Sequence, residues 1–178
     1  MFGGGSQGAH AALAALMLAR AYYPGEFEIT AAALNAGPFD LPAEMELART
    51  TPTIRPIYDK ALAAWTKLYD GSNPLSTEQV ARAAAANDLA RAQIPELGFQ
   101  VLLCSTTRDD VVPIEMSQAM ASKLGPRALP VMTIPPDAID RGAAVFTPLH
   151  RDAHSIGGTL CIAEEWSYFD ARAGTHGR

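Results

Sequence analysis

Apolar positions run almost without interruption over residues 9–21 (AHAALAALMLARA), the pattern of a helix buried on most sides. Pro24-Gly25 ends that run, so a helix over about residues 6–22 is predicted. Residues 27–34 read as a strand, although three alanines weaken its β propensity, and Asn35-Ala36-Gly37-Pro38 closes it. Over residues 42–95 the pattern turns to helical spacing broken by turn signals. A short helix is expected over 43–48. A second, over 58–69, has Ala61, Leu62, Trp65 and Leu68 at helical spacing. After the loop Asp70-Gly71-Ser72-Asn73-Pro74 a third helix starts at Ser76, where Gln79 completes a capping box, and runs to Arg91. Residues 99–104 (FQVLLC) are the continuous apolar run of a buried parallel strand. An amphipathic helix over 114–124 stops at Gly125-Pro126, and a strand over 129–134 ends at Pro135-Pro136. A loop carrying Phe146, His150 and His154 leads into a last helix over about 155–169.

Strands that alternate with helices predict an α/β fold with a parallel sheet flanked by helices. The helical stretch 42–95 reads in two ways, as a cap or lid-like insertion over a pocket or as helices packed on one face of the sheet. A chain of 178 residues, 48% hydrophobic and 19% charged, suits a single domain, 1–178, with a buried core. Net charge is −5 with no Lys/Arg cluster, which argues against a nucleic-acid or anionic-membrane partner. The apolar run at 9–21 has no basic residue before it and is too short and interrupted to span a bilayer; no targeting signal is recognised, so localisation stays open. Cys104 and Cys161 both lie in apolar stretches and are expected to be buried free thiols. No pair of cysteines or histidines has metal-ligand spacing, and neither a metal nor a cofactor is expected.

The chemistry gathers first at Gly4-Gly5-Ser6-Gln7-Gly8, a match to G-x-S-x-G directly ahead of the apolar helix. Such a turn lifts the serine hydroxyl clear of the backbone at the positive end of a helix, with the Gln7 N–H pointing where an oxyanion would form. The same letters also fit G-x-G-x-x-G over residues 3–8, with Glu26 and Glu28 near the distance of its acidic partner. That fingerprint needs a full strand in front, and only Met1 and Phe2 precede the glycines. A glycine-rich arm without chemistry is the third reading. A serine nucleophile needs a base, and the base needs a group to orient it. The loop after FQVLLC offers Asp109 and Asp110, the loop after the next strand offers His150 and His154, and Asp40 follows the preceding strand. Ser…Asp…His is the chain order expected for this turn on this kind of sheet. His10 is expected to hydrogen-bond a loop carbonyl, and His176 lies in a polar tail.

These residues resemble the α/β-hydrolase superfamily, most closely its lipase- and esterase-like serine hydrolases. The stretch GGSQGAH is similar to their G-x-S-Q-G-x-H elbow. Thr107-Arg108-Asp109-Asp110-Val111-Val112-Pro113 resembles their acid loop, with the aspartate four residues before a proline, which selects Asp109. His150-Arg151-Asp152-Ala153-His154-Ser155-Ile156-Gly157-Gly158 resembles their histidine loop, with His154 directly before the last helix. The resemblance implies an acyl-enzyme mechanism on a small-molecule ester or lipid, with Ser6 as nucleophile, His154 as base, Asp109 as its orienting acid and Gln7 in the oxyanion hole. It also implies a partial α/β-hydrolase fold, because in that family several strands and an oxyanion loop precede the elbow, whereas here the elbow starts at residue 4. The alternative is a truncated, non-catalytic fragment lacking the oxyanion-hole half, with an exposed sheet edge open to association.

Overall fold

A computed structural model describes residues 1–69, 74–145 and 152–174 of the chain. It divides into two compact units, Met1–Phe39 with Gln93–Arg178, and Asp40–Ala92. In chain order the first unit holds β1 (Phe2–Gly5), α1 (Gln7–Tyr22) and β2 (Ala32–Asn35), then β3 (Val101–Thr106), α5 (Ile114–Leu124), β4 (Met132–Ile134), α6 (Pro136–Val145) and α7 (Ala153–Ala173). The second holds α2 (Leu41–Thr50), α3 (Arg55–Tyr69) and α4 (Thr77–Ala86).

The sheet of the first unit is parallel throughout, in the order β1-β2-β3-β4. Every residue of β2 and β3 is buried, which suits the apolar stretches 32–34 and 101–104 within them. Register pairs Gly5 with Asn35 and Asn35 with Cys104, so the carboxyl ends of the first three strands lie side by side. The N–H groups of Phe2 and Ser6 donate to Ala31 and Asn35 on the β2 side. Alternation therefore turns the backbone groups of Gly3 and Gly5 to the opposite edge. Among the described residues β1 and β4 are the two edge strands.

In the first unit, three departures from the sequence-based expectations have physical causes. The strand expected over 27–34 is confined to β2, because Phe27 and Glu28 are exposed and full burial begins only at Ala31. An unforeseen helix, α6, follows β4. Pro135-Pro136 reads as a stop, yet Pro136 is the first residue of a helix, where its missing N–H costs nothing and its fixed φ is already helical. The third correction concerns the cysteines, which are not free thiols: Cys104 at the end of β3 is disulfide-bonded to Cys161 on α7, with a Cα–Cα distance of 5.9 Å. Both are fully buried, in a cluster with Ile134, Ile139 and Ile156. Their 57-residue separation put the pairing beyond reach of local pattern.

The second unit is built from local signals. Asp40 caps α2, its Oδ1 accepting the Ala43 N–H at 3.0 Å. The Ser76–Gln79 capping box opens α4 as expected. That helix ends at Ala86 rather than Arg91, because the Asn87 amide turns back to the Ala83 carbonyl at 2.8 Å.

Candidate active site

Ser6 stands in the turn between β1 and α1 with φ 54° and ψ −126°, a left-handed conformation that a side chain adopts at a cost of about 1–3 kcal/mol. Two features hold it there. Its N–H donates to the Asn35 carbonyl at 2.8 Å, and the turn is closed so tightly that a Cβ on Gly4 would lie 2.3 Å from the Gly8 oxygen. Only glycine fits at position 4. Gln7 is the first residue of α1, where a backbone N–H has no partner within the helix.

Asp109 lies in the turn that follows β3 and is 8% exposed. Its Oδ1 accepts the N–H groups of Val111 at 3.0 Å and Val112 at 2.8 Å, which fixes the carboxyl plane and leaves Oδ2 free to turn outward. His154 is the second residue of α7, and the N-cap Asp152 secures that helix end through the Ser155 N–H at 2.7 Å and hydroxyl at 2.8 Å. Desolvation works against the charge on Asp152, but these hydrogen bonds from Ser155 outweigh it and hold the carboxyl below its ordinary value. A second close approach seats the helix: a Cβ on Gly157 would come within 2.9 Å of the Thr106 methyl at the end of β3.

These placements bring three side chains into one line. His154 Nδ1 lies 2.8 Å from Asp109 Oδ2, and His154 Nε2 lies 2.9 Å from Ser6 Oγ. An ionised carboxylate only accepts, so the proton sits on Nδ1 and the bare Nε2 faces the serine hydroxyl. The arrangement can take the proton from Ser6 and stabilise the resulting imidazolium against Asp109.

The other candidates go elsewhere. Asp110 is exposed beside Asp109, and Asp40 spends its carboxyl on capping α2. His10 donates from Nδ1 to the Pro38 carbonyl at 2.9 Å. His150 and His176 lie outside the described residues. Among the described residues no group of three or more His, Cys, Asp or Glu could hold a metal, and no helix is long and apolar enough to cross a membrane.

Ser6 and His154 open onto a cleft of about 580 Å³ that runs between β1 and α7, past Asn35, Glu165, Trp166 and Phe169. Sequence reasoning missed Asn35 and Glu165. Burial pushes the Glu165 carboxyl up to about 7, opposed by a hydrogen bond from the Asn35 side chain. The signal was present in α7, where Glu165 falls within the apolar helical stripe of Ile162, Trp166 and Phe169.

No family model and no curated protein matches this chain. Solved structures do. A mutant of the rice cell wall degrading esterase LipA from Xanthomonas oryzae matches with a TM-score of 0.60 at 16% identity, over 96% of this chain and 58% of that one. Another structure of the same esterase gives 0.50 at 16% identity, over 75% and 50%. Mouse alpha/beta hydrolase domain-containing protein 10 gives 0.49 at 16% identity, over 92% and 60%. The chain thus spans 50% to 60% of the length of these structures. With its parallel sheet flanked by helices, it carries a partial α/β-hydrolase fold.

Proposed function

We propose that this chain is a serine hydrolase of carboxylic esters, acting through Ser6, His154 and Asp109. The observation that carries the reading is the Asp109–His154–Ser6 line, with links of 2.8 and 2.9 Å ending on a serine in a strained turn at a helix N-terminus. In that reading His154 Nε2 removes the Ser6 proton as Oγ attacks the ester carbonyl. Asp109 keeps the imidazole in its Nδ1–H tautomer and balances the positive charge that forms. The Gln7 N–H donates to the oxyanion at the N-terminus of α1. His154 then protonates the departing alcohol, and water, activated by the same imidazole, hydrolyses the acyl-enzyme. The structural likeness to an esterase described as degrading the rice cell wall supports an ester rather than another acyl substrate.

A second reading takes its support from the 58% span of the LipA structure: turnover requires a second oxyanion donor besides the Gln7 N–H, and the chain alone is then a non-catalytic fragment. Hydrolysis of nitrophenyl esters of graded acyl length, by wild type and Ser6→Ala, separates the two. Serine-dependent turnover, lost by about 10⁴-fold in the variant with the circular dichroism spectrum unchanged, supports the first reading. A wild-type rate equal to that of Ser6→Ala on every ester favours the second.

A further inference from the structure

Buried Asn35 and half-buried Glu165 form a polar pair that the proposed chemistry does not use. Asn35 is 2% exposed, and its side-chain amide hydrogen-bonds the Glu165 carboxyl. Two further oxygens, Asn35 Oδ1 and Glu165 Oε1, are buried and receive no hydrogen bond. An amide supplies donors through its nitrogen only, and an ionised carboxylate supplies none. With Glu165 ionised, both buried oxygens stay without a donor, an expensive arrangement. A proton on Glu165 supplies the missing donor, and an acid–amide pair that donates in both directions becomes possible.

The placement of the pair gives this a consequence. Asn35 ends β2, and its carbonyl accepts the Ser6 N–H at 2.8 Å, so it supports the turn that presents the hydroxyl. Glu165 lies about three helical turns along α7 from His154. Resting on the hydrolase reading above, we infer that Asn35 and protonated Glu165 hold the His154 helix against the Ser6 turn, and that loss of this proton slows reaction at Ser6.

The groups facing the pair keep the titration simple. β1 and β2 contribute Gly3, Gly4, Gly5, Ser6 and Ala36 to the cleft, none with an ionisable side chain of ordinary pKa. Among the described lining residues the one other titratable side chain is His154, on the same helix. Ionisation of Glu165, whose carboxyl burial holds up to about 7, loosens the pair on the alkaline side. Reactivity at Ser6 therefore declines as pH rises through the titration of Glu165.

The test measures the rate of Ser6 labelling by a fluorophosphonate probe against pH for wild type, Glu165→Gln and Glu165→Ala. Glutamine keeps a donor and an acceptor without titrating. It is expected to hold the neutral rate within about twofold and to remove the alkaline decline. Alanine is expected to lower the rate about tenfold on the acid side of the Glu165 titration and to approach the wild-type rate on the alkaline side, while the chain stays folded by circular dichroism. An alkaline decline in Glu165→Gln equal to that of wild type, or a wild-type profile in Glu165→Ala, overturns the inference. Thermal stability provides a readout independent of reactivity. A carboxyl whose folded pKa is raised costs stability as pH rises from its unfolded value through its folded one, so Glu165→Gln is expected to melt above wild type on the alkaline side and with it in acid. Equal melting of the two on the alkaline side overturns the pairing. Wild type that never labels overturns the hydrolase reading, and the link to Ser6 with it, while the melting comparison still decides the pair.

Discussion

The two units of this chain are held by interactions of different range. In the unit Asp40–Ala92, the ordering contacts are near neighbours in sequence: the Asp40 cap to Ala43, the Ser76–Gln79 box, and the pairs Arg49–Glu46, Arg55–Asp59 and Arg82–Glu78 at helical spacing. In the unit that carries Ser6, the decisive contacts join distant positions. His154 meets Ser6 across 148 residues and Asp109 across 45, Cys104 pairs with Cys161 across 57, and Arg20 reaches the Leu97 carbonyl across 77. The difference teaches where substitutions act. In the helical unit, substitutions in these caps and exposed pairs change one helix at a time. In the sheet unit one side chain can change the relation between elements.

The sharpest way to break this contrast is to exchange carboxylates in the two units. Asp109→Asn is expected to slow Ser6 labelling by about 10³-fold, since the amide no longer fixes the Nδ1–H tautomer or balances the imidazolium. Asp40→Asn, which retains a capping acceptor, is expected to leave labelling within about twofold of wild type. Equal losses in the two variants would end the assignment of Asp109. Next in size is the disulfide. Closing a loop of this length removes unfolded-state entropy worth about 4 kcal/mol in the chain-entropy model, so Cys104→Ala with Cys161→Ala is expected to lower the denaturant midpoint markedly. A midpoint unchanged under oxidising conditions would show that the bond contributes nothing to stability. Smaller still is the capping box, where Ser76→Ala is expected to cost about 1 kcal/mol, read from the same denaturation curve. Least of all is Arg82→Ala, about 0.4 kcal/mol for a solvent-exposed pair at (i, i+4), and even that is expected to vanish in high salt.

The same division explains what could be read from the sequence. The Ser76 capping box and the helix over 114–124 are written in adjacent residues, and the structure places α4 and α5 accordingly. Glycines at fixed offsets and an apolar run single out Ser6, and loop position singles out Asp109 and His154; the structure sets these three in contact. What pattern could not show was pairing across the fold. Cys104 and Cys161 look like two buried thiols until β3 and α7 are packed together. Glu165 looks like any helix acid until Asn35 faces it. The missed α6 differs, because its signal was local: Pro135-Pro136 was read as an ending, while Pro136 begins a helix that Asp137 and Arg141 brace.

The central claim is that the fold activates Ser6, and the most direct test is to locate a covalent adduct. The purified chain would be treated with a fluorophosphonate, digested, and the modified residue identified by peptide mass. The account predicts one adduct, on Ser6, absent from protein unfolded by heat before treatment. An adduct on another residue, an adduct that survives unfolding, or no adduct at all would contradict it.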